Sequence, residues 1–224
     1  MVKPKSVTHI KIAICGNPNT GKKTFGATFH HREIMDKKDE NSNRYTISND
    51  CLDIEFLYIQ PSAGSSFEDV QPEDIPWYDI DAFILFFSVD EMNSFSQMQV
   101  FHKSFDVLQQ EEKNTYGLLK PCICIGNKCD IADIVREVPL ATAIKFSDSS
   151  SAPYFETSAK TGKNVSAVIE DLIKQILRYR KQKELLNTQK NTKQGGTPTG
   201  QQKKTSFFRS RRDVEDDDLF NSNA

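Results

Sequence analysis

From the amino terminus, apolar and polar residues first alternate in "HIKIAIC" (9–15), where Ile10, Ile12 and Ile14 fall on one side. Period-two alternation of β-branched residues predicts a strand. It runs into the loop "GNPNTG", and "KKTFGATFHH" behind the loop predicts a helix starting near Lys22. Residues 35–44 are polar and charge-rich and predict a mobile loop. "RYTIS" and "CLDIEFLYI" follow as two strands joined at "ND", a good hairpin turn. Strongly apolar runs predict buried strands at "AFILFFS" (82–88) and "PCICIGN" (121–127), and "PYFETS" (153–158) predicts the last strand. Over 93–112, Phe95, Met98, Phe101 or His102, Phe105 and Leu108 keep a helical spacing and are read as core. A final helix from about Asn164 to Leu186 has Val165, Val168, Ile169, Leu172, Ile173 and Ile176 on one face. Strands alternating with helices, plus one hairpin, predict an α/β protein with a mostly parallel sheet covered on both faces.

The pattern ends near Gln189, where Gln, Lys, Asn, Thr and Gly take over. This divides the chain into a folded unit, 1–186, and a low-complexity tail, 187–224, with too little apolar surface to offset chain entropy. The tail carries two blocks of opposite sign, "KKTSFFRSRR" (203–212) and "DVEDDDLF" (213–220), each with five charges. The first could be a docking segment for a membrane surface or a partner, and together the two could simply keep the tail solvated.

Composition narrows the picture. At 224 residues and 37% hydrophobic, the chain can bury one good core, and a formal charge of −2 gives no reason to expect nucleic acid as a partner. Cys15, Cys51, Cys122, Cys124 and Cys129 are odd in number and lie mostly in apolar segments, as reduced thiols of a cytoplasmic protein do. Alternate strand positions account for Cys122 and Cys124 without a metal. The first apolar run is too short for a signal peptide, and no run approaches a membrane span. Val2 does not fit myristoylation, and "NSNA" offers no cysteine for prenylation, so any membrane contact is expected to be peripheral.

The candidate chemistry starts at Gly16, where four residues separate the first glycine from Gly21 and Lys22. A glycine loop between strand and helix turns backbone N–H groups and the helix dipole toward phosphates, and Lys22 would reach the outer phosphates. A plain glycine turn before a helix is the alternative. "NKCD" (127–130) follows the fifth predicted strand. The Asp130 carboxylate can accept from guanine N1–H and the 2-amino group, whereas adenine offers neither. Asn127 can bridge the base edge and the loop, with the Lys128 stem along the ring. "TSAK" (157–160) follows the last strand, where the Ala159 N–H could reach the base oxygen.

Taken in this order, the three motifs resemble those of the Ras superfamily of small GTPases, in its Ras/Rab branch. The resemblance covers about residues 8–180 and includes "DAFILFFSVDEMNSF" and "PYFETSAKTGKNV". It implies a P-loop NTPase fold with a Ras-like six-stranded, mostly parallel sheet and five helices, with GTP or GDP as ligand. It also implies two switch loops that report the γ-phosphate. The candidate nucleotide-binding residues are Gly16, Asn19, Thr20, Gly21, Lys22, Lys23 and Thr24, with Asn127, Lys128, Asp130, Ser158, Ala159 and Lys160 around the base.

Departures from that pattern decide the mechanism. Where the family places a magnesium-binding Ser or Thr, this chain has Lys23, and Thr24 lies about 100° further around the helix. The family's D-x-x-G becomes "PSAG", putting Pro61 at the acidic position, and Ser65 stands where the water-orienting Gln usually does. Pro18 occupies a position that is often Gly. Ser42, Thr46 and Ser48 do not match the first switch's Thr in spacing. No catalytic or metal-ligating residue is therefore assigned, and magnesium binding is not expected to be strong. The expected function is a guanine-nucleotide-binding pseudo-GTPase serving as a regulatory or scaffolding subunit, with effector or scaffold proteins as partners. An active GTPase switch and a nucleotide-free interaction module are the alternatives.

Overall fold

The computed structural model describes residues 7–33, 44–47, 50–62 and 64–193. Positions 35–43 of the expected 35–44 loop, the hairpin connection at 48–49 and the two charged tail blocks lie outside them, whereas Arg44, expected at the end of that loop, is in a strand. Strand β1 (Val7–Cys15) leads into helix α1 (Lys22–Glu33), and β2 (Arg44–Ile47) pairs antiparallel with β3 (Asp50–Ile59). Asp50, expected in the turn, already belongs to β3 and pairs with Ile47. Then come β4 (Ala82–Ser88), α2 (Met92–Tyr116), β5 (Cys122–Asn127), α3 (Leu140–Ser150), β6 (Tyr154–Glu156) and α4 (Val165–Lys193).

The six-stranded sheet runs β2-β3-β1-β4-β5-β6, parallel except for β2. β1 pairs with β3 on one side and β4 on the other. The strand order therefore reverses at the end of β1, the place where ligands of open α/β sheets bind. The loops carrying the three motifs all leave the carboxyl ends of strands.

Both faces are covered, which is why the strands are apolar nearly throughout. Ile10, Ile12 and Ile14 pack with Phe25 and Phe29 of α1 and the Val165–Ile176 stripe of α4. Ala13 and Cys15 point the other way, joining Phe83, Phe87 and the Phe95–Leu108 stripe of α2. All seven residues of β4 are buried, with Ile84 and Phe86 on one side and Phe83, Leu85 and Phe87 on the other.

Three local features differ from the sequence expectation. Among the described residues there are four α-helices rather than five. Between β3 and β4 run three 3-10 turns instead, at Phe67–Asp69, Pro72–Asp74 and Trp77–Asp79. Pro72 and Pro76 lack the N–H that an α-helix needs there. Helix α3 has no apolar stripe to announce it, because only Ala143 is buried while Leu140 and Ile144 face outward. α4 continues past the boundary at 186 as far as Lys193, and Lys190 Nζ donates to the Thr115 carbonyl at 2.7 Å. No helix is long and apolar enough to cross a membrane among the described residues.

Candidate functional site

The loop after β1 is tightly held. An added Cβ at Gly16 would lie 2.0 Å from the Phe86 carbonyl oxygen, and Gly21 has φ +95 with Asn127 Nδ2 2.5 Å from where a Cβ would stand. These two contacts require glycine at both positions. Asn19 also has positive φ, 62°, a conformation Asn tolerates better than most residues. Thr20 is fully buried, and its Oγ1 donates to the Asn17 carbonyl at 2.8 Å. α1 begins directly behind, its Phe25 N–H closing on the Gly21 carbonyl at 2.8 Å. The N–H groups before it belong to the first turn, which has no intrahelical acceptors.

Lys22 is buried, and its Nζ donates to the Gly16 and Asn17 carbonyls at 2.7 and 2.5 Å. Burial pulls its pKa down to about 8; neighbouring Cys15 opposes that and the charge of Lys23 adds to it. Lys23 and Thr24 themselves are exposed.

Asn127 links the three motifs. Its side chain is buried; Nδ2 donates to the Thr20 carbonyl at 2.9 Å, and Oδ1 accepts from the Ala159 N–H at 2.9 Å and Thr157 Oγ1 at 3.3 Å. The Ala159 N–H, expected to face a base oxygen, is thus directed at Asn127, and a base would have to share it. Ser158 is buried, with Oγ accepting from the Thr161 N–H at 3.1 Å, while Lys160 and Asp130 are exposed. Lys128 has φ 67°, and its Nζ pairs with Asp90 at 3.1 Å.

Asp90 and Thr28 are site-shaping residues that the motifs do not contain. Asp90 accepts from both Lys128 and Ser88 Oγ; burial works to raise its pKa, but those hydrogen bonds bring it below the usual carboxylate range. Thr28 Oγ1 donates to the Ala159 carbonyl at 2.7 Å, tying α1 to the loop after β6. Asp90 could have been found from its place just beyond the carboxyl end of β4.

On the other side of the loop, Pro61 is buried and Ser62 and Ser65 are exposed. Neither the Lys23 amine nor the Pro61 ring offers an oxygen ligand. Among the described residues, no three His, Cys, Asp or Glu side chains come together as a metal site.

A profile of the Ras family matches residues 11–178. The chain belongs to the Ras family. Among similar proteins, Ras-related protein Ral-a of Drosophila melanogaster is 28% identical over 172 residues, spanning 74% of this chain and 80% of the relative. Ras-like protein rasC of Dictyostelium discoideum is 28% identical over 173 residues (76% and 87%). Ras-related protein RABG3f of Arabidopsis thaliana is 29% identical over 189 residues (80% and 87%). The Ras-like α/β fold and the small-GTPase type follow from this membership, and Ras-family members bind GTP and GDP. The polar groups fit such a ligand: donors at a helix N-terminus and a buried lysine amine, with an acceptor carboxylate at Asp130, lie at one end of the sheet.

Proposed function

We propose that this Ras-family protein holds GTP or GDP largely without magnesium, hydrolyses GTP very slowly or not at all, and acts as a regulatory or scaffolding subunit. The observation that carries the reading is the contrast around Asn127. The residues that join the phosphate loop to the base loops are built in, whereas the positions for metal and attacking water hold Lys23, Pro61 and Ser65.

Gly16, Asn19, Thr20, Gly21, Lys22, Lys23 and Thr24 would surround the phosphates. Asn127, Lys128, Asp130, Ser158, Ala159 and Lys160 would surround guanine. Lys23 adds a second positive charge at the start of α1, which offsets phosphate charge and repels a divalent ion. Hydrogen bonds to charged groups contribute about 1.5–3 kcal/mol each, so two missing metal contacts weaken metal-linked affinity by orders of magnitude. Even a complete Ras site turns over at only about 10⁻⁴ s⁻¹ unaided. Residues 1–186 would form the nucleotide-binding unit, followed by the last turns of α4 and a tail, in the cytoplasm. Effector or scaffold proteins would be its partners.

The test is to denature purified protein and identify the released nucleotide and metal. GDP or GTP without stoichiometric magnesium, retained through EDTA treatment, is the expected result. Large loss of nucleotide in EDTA would sink the Lys23 argument. Asp130→Asn should move preference from guanine toward xanthine nucleotides. A single-turnover hydrolysis rate typical of the family would instead favour an active switch. One observation favours a nucleotide-free module: Lys22 and Asn127 have their partners within the chain, so the loop stays folded by itself. Protein purified empty, with no affinity for GDP or GTP, would establish that reading.

A further inference from the structure

We propose that residues 203–212 of this same chain, "KKTSFFRSRR", dock in the groove between the end of β3 and the 3-10 turns that follow it. The groove encloses about 400 Å³; Leu57, Ile59, Val70 and Pro76 give it an apolar lining, and Asp69 and Asp74 supply carboxylates. It lies in a strongly acidic segment. From Phe67 to Asp81 there are six Asp and Glu residues and no Lys or Arg. Asp81 is paired with Arg180, but the other five acids are exposed.

The proposed occupant is complementary in both respects. Residues 203–212 carry five positive charges for the acidic surface, and Phe207 and Phe208 suit the apolar lining. Reach is sufficient. The Lys190–Thr115 contact places the end of α4 beside the end of α2. Ser66 and Phe67 hydrogen-bond to Gln97 near the other end of α2, and at ~1.5 Å per helical residue these points are about 27 Å apart. From Lys193 to Lys203 the chain spans up to about 34 Å when extended, and to Phe207 nearly 48 Å.

The competing partner within the chain is the acidic block 213–218. It directly follows Arg212, so pairing with residues 203–209 needs a sharp reversal in a stretch with no glycine or proline between Lys203 and Phe220. The proposal goes beyond nucleotide binding and does not depend on it.

Carbodiimide cross-linking of the dilute full chain, with peptide mapping of the monomer, tests the contact directly. Lys203 and Lys204 are expected to join carboxylates between Glu68 and Asp79. Yield should fall at least about fivefold when salt rises from about 0.05 to about 1 M, where screening shrinks to ~3 Å. Phe207→Ala with Phe208→Ala should lower it without affecting the fold. Cross-links confined to Asp213–Asp218, or found only in dimers, would overturn the proposal. Hydrogen exchange over 64–76 gives a second readout. Lys203→Glu, Lys204→Glu and Arg209→Glu together should accelerate it about threefold or more, and unchanged exchange would likewise overturn the idea. Binding of the full chain to phosphatidylserine vesicles with no cross-link to the groove would assign the segment to membranes instead.

Discussion

Lys22 is a buried amine whose two hydrogen-bond acceptors are backbone carbonyls of its own loop. Its pKa of about 8, set first by burial, puts the ordinary working pH at the edge of its charged range. A phosphate against the amine favours the protonated form, so above pH 8 nucleotide binding must take up a proton. Affinity for GDP should therefore be flat below pH 7.5 and about tenfold weaker at pH 9, following the fraction of free protein still protonated. Lys22→Arg should flatten that profile, since a guanidinium does not titrate in this range. Titration with fluorescent GDP across the pH series is the measurement. Lys23 is open to a sharper exchange. Lys23→Ser combined with Pro61→Asp introduces two oxygen ligands, and nucleotide retention should then become sensitive to EDTA, in contrast to the insensitivity expected of the parent protein. Continued insensitivity of the double variant would show that the metal position is lost for reasons beyond these two side chains.

The last of the 3-10 turns between β3 and β4, Trp77–Asp79, is anchored to α2 and α4 by a buried polar cluster. Glu112 of α2 accepts from Trp77 Nε1 at 3.3 Å, from Lys183 Nζ of α4 at 2.6 Å and from Tyr179 OH. Burial works to raise its pKa, but the Lys183 and Tyr179 hydrogen bonds hold it below the usual range. Lys120 Nζ crosses the same space, donating to the Trp77 and Ile80 carbonyls over the Trp77 ring. Glu112→Ala strips a partner from two buried donors, Trp77 and Tyr179, and from the half-buried Lys183 amine, and should cost about 3 kcal/mol in urea unfolding, with faster hydrogen exchange over 76–81. A loss below about 0.5 kcal/mol would mean that exposed-site energetics apply. Because the folded-state pKa is depressed, the cluster's contribution is present above the ordinary carboxylate pKa and lost as pH falls through the folded value.

None of this cluster was visible in the chain, since Trp77, Glu112, Lys120 and Tyr179 are far apart and match no spacing rule. Strands and the α2 and α4 stripes were legible because burial on one face writes itself into period and composition. α3 was not, because it buries only Ala143. At the candidate site, glycine spacing and strand-end motifs pointed to loops that the fold brings together, but the direction of the Ala159 N–H toward Asn127 is a tertiary fact that four-residue strings do not encode.

Across the molecule, the single tryptophan offers a way to ask whether the two ends of the sheet act together. Trp77 stacks on Phe83 at the amino end of β4, while the candidate nucleotide site lies at the carboxyl ends of the strands. The continuous β1 and β4 core joins them, with Ile12, Ile14, Ile84 and Phe86 all fully buried. A ligand that binds only the folded state stabilises the whole cooperative unit, by about 2.7 kcal/mol at one hundred times its Kd. For a domain of this size, each kcal/mol raises the unfolding midpoint by about 2–4 °C. GDP at that excess should therefore raise the Trp77 fluorescence transition and the far-ultraviolet dichroism transition together, by about 5–10 °C, and equally in EDTA and in magnesium. Coincident transitions that shift only with magnesium would restore an ordinary metal-dependent site to this protein. Transitions that separate on GDP addition would show that the loop end and the Trp77 end unfold as distinct units, so that nucleotide bound at one end leaves the other unprotected.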